Sequence, residues 1–454
     1  MSNQHVSNHS FARRCCVAVS ILATGAGVIA FAPTQPAEAA AAVPQDGLYH
    51  VSSPHRLLDT RRTGGAVAAG KTVTIPRSVL TAAGLPTTGV QSVVVNLTVT
   101  GTTGTGWGTI FSGSTVPATS NINFSKGWTG AVSSTVALAS NSGLSIKVGG
   151  TGLSTQVIVD LEGWYSNSTY TPSTGSGLQI GDPERWVDTR TDGGPLPAQS
   201  WDTIGMSWDA TGDWAGTTPT AVMVNLTALG AKGSGSLSLW NGDENAWPTT
   251  SSVNFAKGET SPNTAIVPVR KESDGSYSFG VANTGGQAVN YLVDVLGFYY
   301  TGAVMPTFKH VVVAPKRVMS FASIGSNKTA SVTLPAAVGD AKVTGGIEGV
   351  LTGYRPTSGG YQTIWDGLGA MPKTSNLNSV NGGIRANGFL VRENSDDSLG
   401  LTVFNSAGTI KAIVDVTGRF DWTGTISSAV AAQKRQLPAM RVATTSAHRV
   451  IGRR

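Results

Sequence analysis

The sequence is short of charge. Asp, Glu, Lys and Arg make up 13% of its 454 residues, against about 25% in an ordinary globular chain, so solvated helical faces are scarce. Its only cysteines are Cys15 and Cys16. Everything beyond them lacks disulfides, thiolate metal ligands and a cysteine nucleophile. Beyond residue 39 the histidines are His50, His55, His310 and His448, none in a His-x-x-x-His spacing that would suit zinc. Gly-x-Ser-x-Gly elbows and phosphate-binding loops are missing too. No cofactor or metal motif emerges, and the chain is read as non-enzymatic. Two acidic loops, Asn241–Ala246 and Glu393–Ser398, offer oxygen ligands for calcium but lack EF-hand spacing, and a solvated loop explains them better.

The longest apolar run, Val17 to Ala32, is rich in Gly and Ala and too short to span a bilayer. Arg13 and Arg14 precede it and Ala37-Glu38-Ala39 follows, the pattern of a cleaved secretory leader covering residues 1–39. At the other end, residues 425–454 hold Lys434, Arg435, Arg441, Arg449, Arg453 and Arg454 and no acid. Between leader and tail the charges balance. The basic surplus belongs to a tail, which suits attraction to an anionic envelope polymer or simply a solvated terminus, and gives no reason to invoke nucleic acid.

What the chain does have is repetition. "PHRLLDTRRTGG" (Pro54 to Gly65) returns as "PERWVDTRTDGG" (Pro183 to Gly194), and "PKRVMSFASIGS" (Pro315 to Ser326) keeps only the Pro-x-Arg and the apolar pair. The same order of landmarks follows each: "VVVNLTVTG", "VMVNLTALG" and "IEGVLTG"; then "SNINF", "SSVNF" and "SNLNS"; then "IVDLEGWY", "LVDVLGFY" and "IVDVTGRF". Each unit is domain-sized, and its short runs rich in Val, Thr and aromatics, broken by Gly, Ser, Pro and Asn, read as strands. The expected fold is all-β: three tandem antiparallel β-sandwiches of jelly-roll or immunoglobulin-like type at 46–168, 176–302 and 307–424. The stretch Arg77 to Pro86 allows one or two helical turns.

Features kept in all three copies serve the shared fold. Each copy has an Arg near its start and an Asp, set in an apolar strand, near its end. Burying that Asp requires a partner. The pairs Arg56–Asp160, Arg185–Asp294 and Arg317–Asp415 are proposed as structural ion pairs, the alternative being that each Asp accepts from turn amides. The Asp-Thr-Arg triplet is absent from the third copy. Asp59, Arg61, Asp188 and Arg190 are therefore candidates for a ligand contact, or else they merely shape the Gly-Gly turn after them.

The string "RLLDTR…VVVNLT…SNINF…VDLEGWY" resembles a β-rich repeat of secreted proteins from high-GC Gram-positive bacteria, closely over residues 48–300 and weakly over 308–422. There the repeat occurs alone or beside cell-wall hydrolases, so the resemblance implies an accessory extracellular module and no assigned reaction.

Aromatic residues supply the remaining candidates. Trp201, Trp208 and Trp214 crowd one part of the second copy, and Trp128 and Trp247 flank the Asn-containing landmark. Exposed, they would stack on sugar rings or anchor a protein; buried, they fill the core. Two functions are weighed: a multivalent binder of carbohydrate or envelope polymer, and an assembly protein docking on other secreted proteins.

Overall fold

A computed structural model describes residues 46–140, 142–172, 174–211, 214–302, 307–395, 397–423 and 449–453. The leader and all of the tail except 449–453 lie outside the described residues. The fold is all-β, with several antiparallel sheets and, among the described residues, one α-helix, Arg77–Ala82. No helix of the described residues is long and apolar enough to cross a membrane.

In the first copy, strands Tyr49–Asp59, Ser154–Ser166, Val90–Thr100 and Gly130–Ala137 are neighbours in that order in one sheet. Thr72–Ile75, Leu144–Gly150, Gly106–Phe111 and Ile122–Phe124 are neighbours in a second. The second copy repeats the order with Gly177–Asp188, Asn290–Thr301, Thr218–Leu229 and Ser261–Pro268 over Ser200–Met206, Tyr277–Asn283, Gly235–Trp240 and Val253–Phe255. So does the third, with Phe308–Ile324, Ile410–Trp422, Thr344–Tyr354 and Ile384–Arg392 over Lys328–Thr333, Gly400–Asn405, Gly360–Trp365 and Leu377–Ser379. A pairing of Leu178 with Phe308 joins the first-named sheets of copies two and three.

Strand alternation explains how each copy is used on two sides. In Val90–Thr100, Val93, Val95, Leu97 and Val99 point into the core of their own copy and are buried. The alternate residues Val94, Asn96 and Thr98 are just as buried, although they face away from that core. Their cover comes from the other copies. Val94 joins Tyr49, Tyr165, Met223, Ile266, Leu296, Tyr299, Leu390 and Phe420 in a fourth apolar cluster drawn from all three.

Beside this cluster runs an asparagine ladder. Asn263 donates to Asn96 Oδ1 at 2.9 Å and Asn387 to Asn225 Oδ1 at 2.9 Å, linking the second copy to the first and the third to the second. At the remaining junction the corresponding residue of the third copy is Val350, which packs into the first copy's core. Trp128 Nε1 and Arg385 Nε both donate to Glu259 Oε1, at 2.9 and 3.0 Å, and the Arg385 guanidinium lies over the Trp128 ring. One carboxylate thus ties side chains of all three copies. Within the first copy, Gly163 lets the Tyr49 phenol lie against the last strand, where a Cβ would overlap it.

Candidate functional site

The first strand of each copy carries its conserved-position Arg opposite the last-strand Asp. Arg56 Nε and Nη2 reach Asp160 Oδ1 and Oδ2 at 2.7 and 3.1 Å. Arg185 holds Asp294 at 2.8 and 3.0 Å, and Arg317 holds Asp415 at 2.8 and 2.9 Å. These are fork-to-fork pairs with the carboxylate buried and the guanidinium partly open. Burial pushes the Asp160 and Asp294 carboxyls up, against the pull of their arginines.

The Asp-Thr-Arg triplet divides its work. Thr60, 2% exposed, donates to Gln156 Oε1 at 2.6 Å and accepts from the Val157 amide at 2.9 Å. Thr189 does the same with Asn290 and the Tyr291 amide. The threonine is a clasp between first and last strands. Asp59 gathers three guanidiniums: Arg61 Nε and Nη2 donate to it at 2.8 and 2.7 Å, Arg56 Nη1 donates at 3.2 Å, and Arg62 Nε lies 3.8 Å away. Its hydrogen bonds from Arg61, outweighing burial, bring its carboxyl down to about 2. The bond from Arg190 lowers Asp188 likewise. The strand then stops in a turn where Gly64 and Gly65 adopt φ of 81° and 74°, a region costly to any residue with a Cβ. In the third copy the strand runs on to Ile324, and Phe321 lies edge-on to Tyr354 with centroids 5.3 Å apart.

Arg61 opens onto a cleft of about 450 Å³ between the first and second copies. One wall is Arg56, Arg61, Thr98, Thr100 and Thr129. The other is built from Gln199, Ser236, Trp247, Ser251, Asn254 and Thr284. The side chain of Arg61 is 47% exposed, so one face of its guanidinium remains open after it has bound Asp59. Most of the hydroxyls are paired: Thr100 with Thr129 at 2.8 Å, Ser236 with Thr284 at 2.6 Å, and Ser251 with Asn254 at 3.2 Å. Thr98 is buried and unpaired. It is 1% exposed, and its hydroxyl has no hydrogen-bond partner. Leaving such a group unsatisfied costs about 1–3 kcal/mol.

Arg56 and Arg61, the arginines that line the cleft, are matched by Asp59 and Asp160, while Arg62, 3.8 Å from Asp59 and 82% exposed, is not among the lining residues. The site is neutral, rich in hydroxyl and amide groups, and edged by one indole. Trp247 is held there by Trp201, edge-on at 5.9 Å, and by Trp240 at 6.4 Å.

The other expected tryptophans lie elsewhere. Trp128 is buried against Glu259 and Arg385, where it cannot stack on a ligand. Trp214 is buried, and Trp208 packs against the second copy's core with its Nε1 on Thr217. A dense aromatic cluster excludes water by packing its members edge to face, and this one does so with Phe298 and Tyr300. Of the candidate ligand residues, the structure therefore brings together Arg61, Asp59, Trp247 and Trp201. Asp188 and Arg190 sit at the corresponding place in the second copy.

The sequence does not single out Thr98, Thr129 or Gln199 as site residues, whereas Asn254 belongs to the landmark asparagines, for which bonding their own turn and binding a ligand are both open readings. The available hint was the polar alternate face of "NLT" in an otherwise apolar strand. Two further clefts are more apolar or more charged: one of about 330 Å³ beside Phe111, Pro117, Val313 and Pro315, and one of about 380 Å³ beside Trp365, Asp182 and Arg392. Among the described residues no group of three or more His, Cys, Asp or Glu is placed to hold a metal ion. No protein-family model matches the chain, and no curated protein matches it.

Proposed function

We propose that this is a secreted, non-catalytic binding protein whose ligand is a neutral carbohydrate, of the kind found in cell envelopes, taken in the cleft between the first and second copies. The observation that carries the reading is the buried, unpartnered Thr98 hydroxyl lining a neutral cleft that also presents the open face of Arg61 and the ring of Trp247. A sugar supplies what this arrangement lacks: a hydroxyl for Thr98, acceptors for the guanidinium and an apolar ring face for the indole. Matched charges argue against a phosphate or carboxylate as the main recognised group. The strand order within each copy supports reading it as a jelly roll, an architecture shared with lectin domains. Export rests on the leader pattern, and surface association on the basic tail.

Isothermal titration of the protein with three neutral hexasaccharides, cellohexaose, maltohexaose and chitohexaose, tests this. At least one is expected to bind, with little dependence on salt because no net charge is neutralised, and its binding in this cleft is expected to be lost in Thr98→Val and Trp247→Ala. Absence of binding to all three, together with capture of a defined secreted protein from the culture medium, would replace the carbohydrate reading with the docking one.

A further inference from the structure

The three junctions between copies are built from corresponding residues, which makes each a control for the others. At the first, Asn96 donates to the Ser251 carbonyl at 2.6 Å, and the Thr98 hydroxyl two residues on is unpartnered. At the second, Asn225 donates to the Ser375 carbonyl at 2.9 Å, and the Thr227 hydroxyl is unpartnered as well. Thr227 is 1% exposed. In the third copy the Oδ1 of Asn378, the counterpart of Asn254, is also buried without a partner. Arg190, gripping Asp188 as Arg61 grips Asp59, keeps half of its side chain open.

The third junction differs at each of these points. Asn123, the counterpart of Asn254 and Asn378, donates to the hydroxyl of Thr352, the counterpart of Thr98 and Thr227, at 3.2 Å. The Asp-Thr-Arg triplet is gone, and Phe321 against Tyr354 fills its place. Where the triplet is present the threonine is left waiting; where it is absent the protein satisfies the threonine itself.

We infer that the junction of the second and third copies is a second binding site, formed by Thr227, Asn378 and the Asp188–Arg190 pair, so that the chain binds two neutral sugar ligands and not three. The inference rests on the carbohydrate reading of the first cleft. The two sites are lined differently: Leu229 stands for Thr100, Met371 for Trp247 and Tyr361 for Ser236, which favours a ligand with a more apolar face, and Lys373 stands for Thr249. Two weak sites on one rigid body gain avidity on a polymer, because the second contact forms at a high effective concentration.

Stoichiometry decides the matter. Titration with the same three hexasaccharides, each checked by native mass spectrometry, is expected to give two bound per chain, one in Thr98→Val, one in Thr227→Val and none in the double variant. Valine matches threonine in shape and removes only an unsatisfied hydroxyl, so both variants are expected to melt no lower than the parent, which separates lost binding from lost fold. A single bound sugar that survives Thr227→Val overturns the second site and leaves the first intact. Three bound sugars overturn the closure of the third junction. No bound sugar of any kind removes both sites.

Discussion

The guanidinium of Arg56 lies fork-to-fork on the carboxylate of Asp160, linking the first and last strands of one copy across 104 residues. The same pair recurs twice more in the chain, whether or not the Asp-Thr-Arg triplet is beside it. Removing Arg56 strands a carboxylate that is almost wholly buried, a change that typically costs about 3–5 kcal/mol. Arg56→Ala is therefore expected to lower the denaturation midpoint sharply. The Asp59→Ala/Arg61→Ala variant should cost less, since Arg56 still holds Asp160, while weakening sugar binding. Equal losses in urea titrations of the two variants would place the whole triplet in the scaffold.

Glu162 controls stability through pH. It sits in the shared cluster, accepts from Ser133 Oγ at 2.7 Å, and is pushed up to about 8 by burial. Below about pH 4.5 both folded and unfolded chains hold its proton; from there to about 8 only the folded chain does. Its contribution is thus full below 4.5 and declines as pH rises to 8, by an amount on the order of 4 kcal/mol. His50, which burial lowers to about 4, works the other way between that value and 6.5. The difference between Glu162→Gln and the parent cancels the His50 effect. That difference in melting temperature should be near zero at pH 4.5 and favour the variant increasingly up to pH 8. A flat difference would mean that Glu162 is ionised in the folded protein.

Glu259 joins the three copies through Trp128 and Arg385. Glu259→Ala leaves the Arg385 guanidinium, 14% exposed, without its carboxylate. A loss of about 3–5 kcal/mol is expected, and Arg385→Met in the same background should restore part of it by removing the stranded charge. Calorimetry of the single and double variants checks both.

The far end of the tail has a place in the fold. Arg449–Arg453 pairs antiparallel with Ser200–Met206, setting Arg453 opposite Ser200 beside the cleft residue Gln199. The corresponding strands Thr72–Ile75 and Lys328–Thr333 stand at sheet edges. Deleting residues 425–454 bares a row of backbone donors and acceptors, and bared edges recruit other chains. The truncated protein is expected to self-associate at concentrations where the full chain does not, as read by light scattering, and to lose salt-sensitive retention on cells. A monodisperse truncated protein would mean that the edge needs no cover.

The recurring landmarks made the all-β character and the Arg–Asp partners legible in the sequence, because each depends on residues whose spacing within one copy is repeated. "VVVNLTVTG" read as a strand by its Val and Thr content, and its alternation determined that Val93, Val95, Leu97 and Val99 share a face. The sequence could not say what the opposite face meets. Asn96 bonds Asn263 and Thr98 bonds nothing, and both outcomes depend on a neighbouring copy over 120 residues away, brought there only by tertiary packing. The tryptophans obey the same limit. Trp128 follows the Asn-containing strand of its copy and Trp247 precedes that of the next, and by sequence either could be covered, yet one lies buried under Arg385 and the other edges an open cleft. Exposure is set by whichever chain segment arrives to cover a side chain, a non-local quantity that composition and periodicity do not contain.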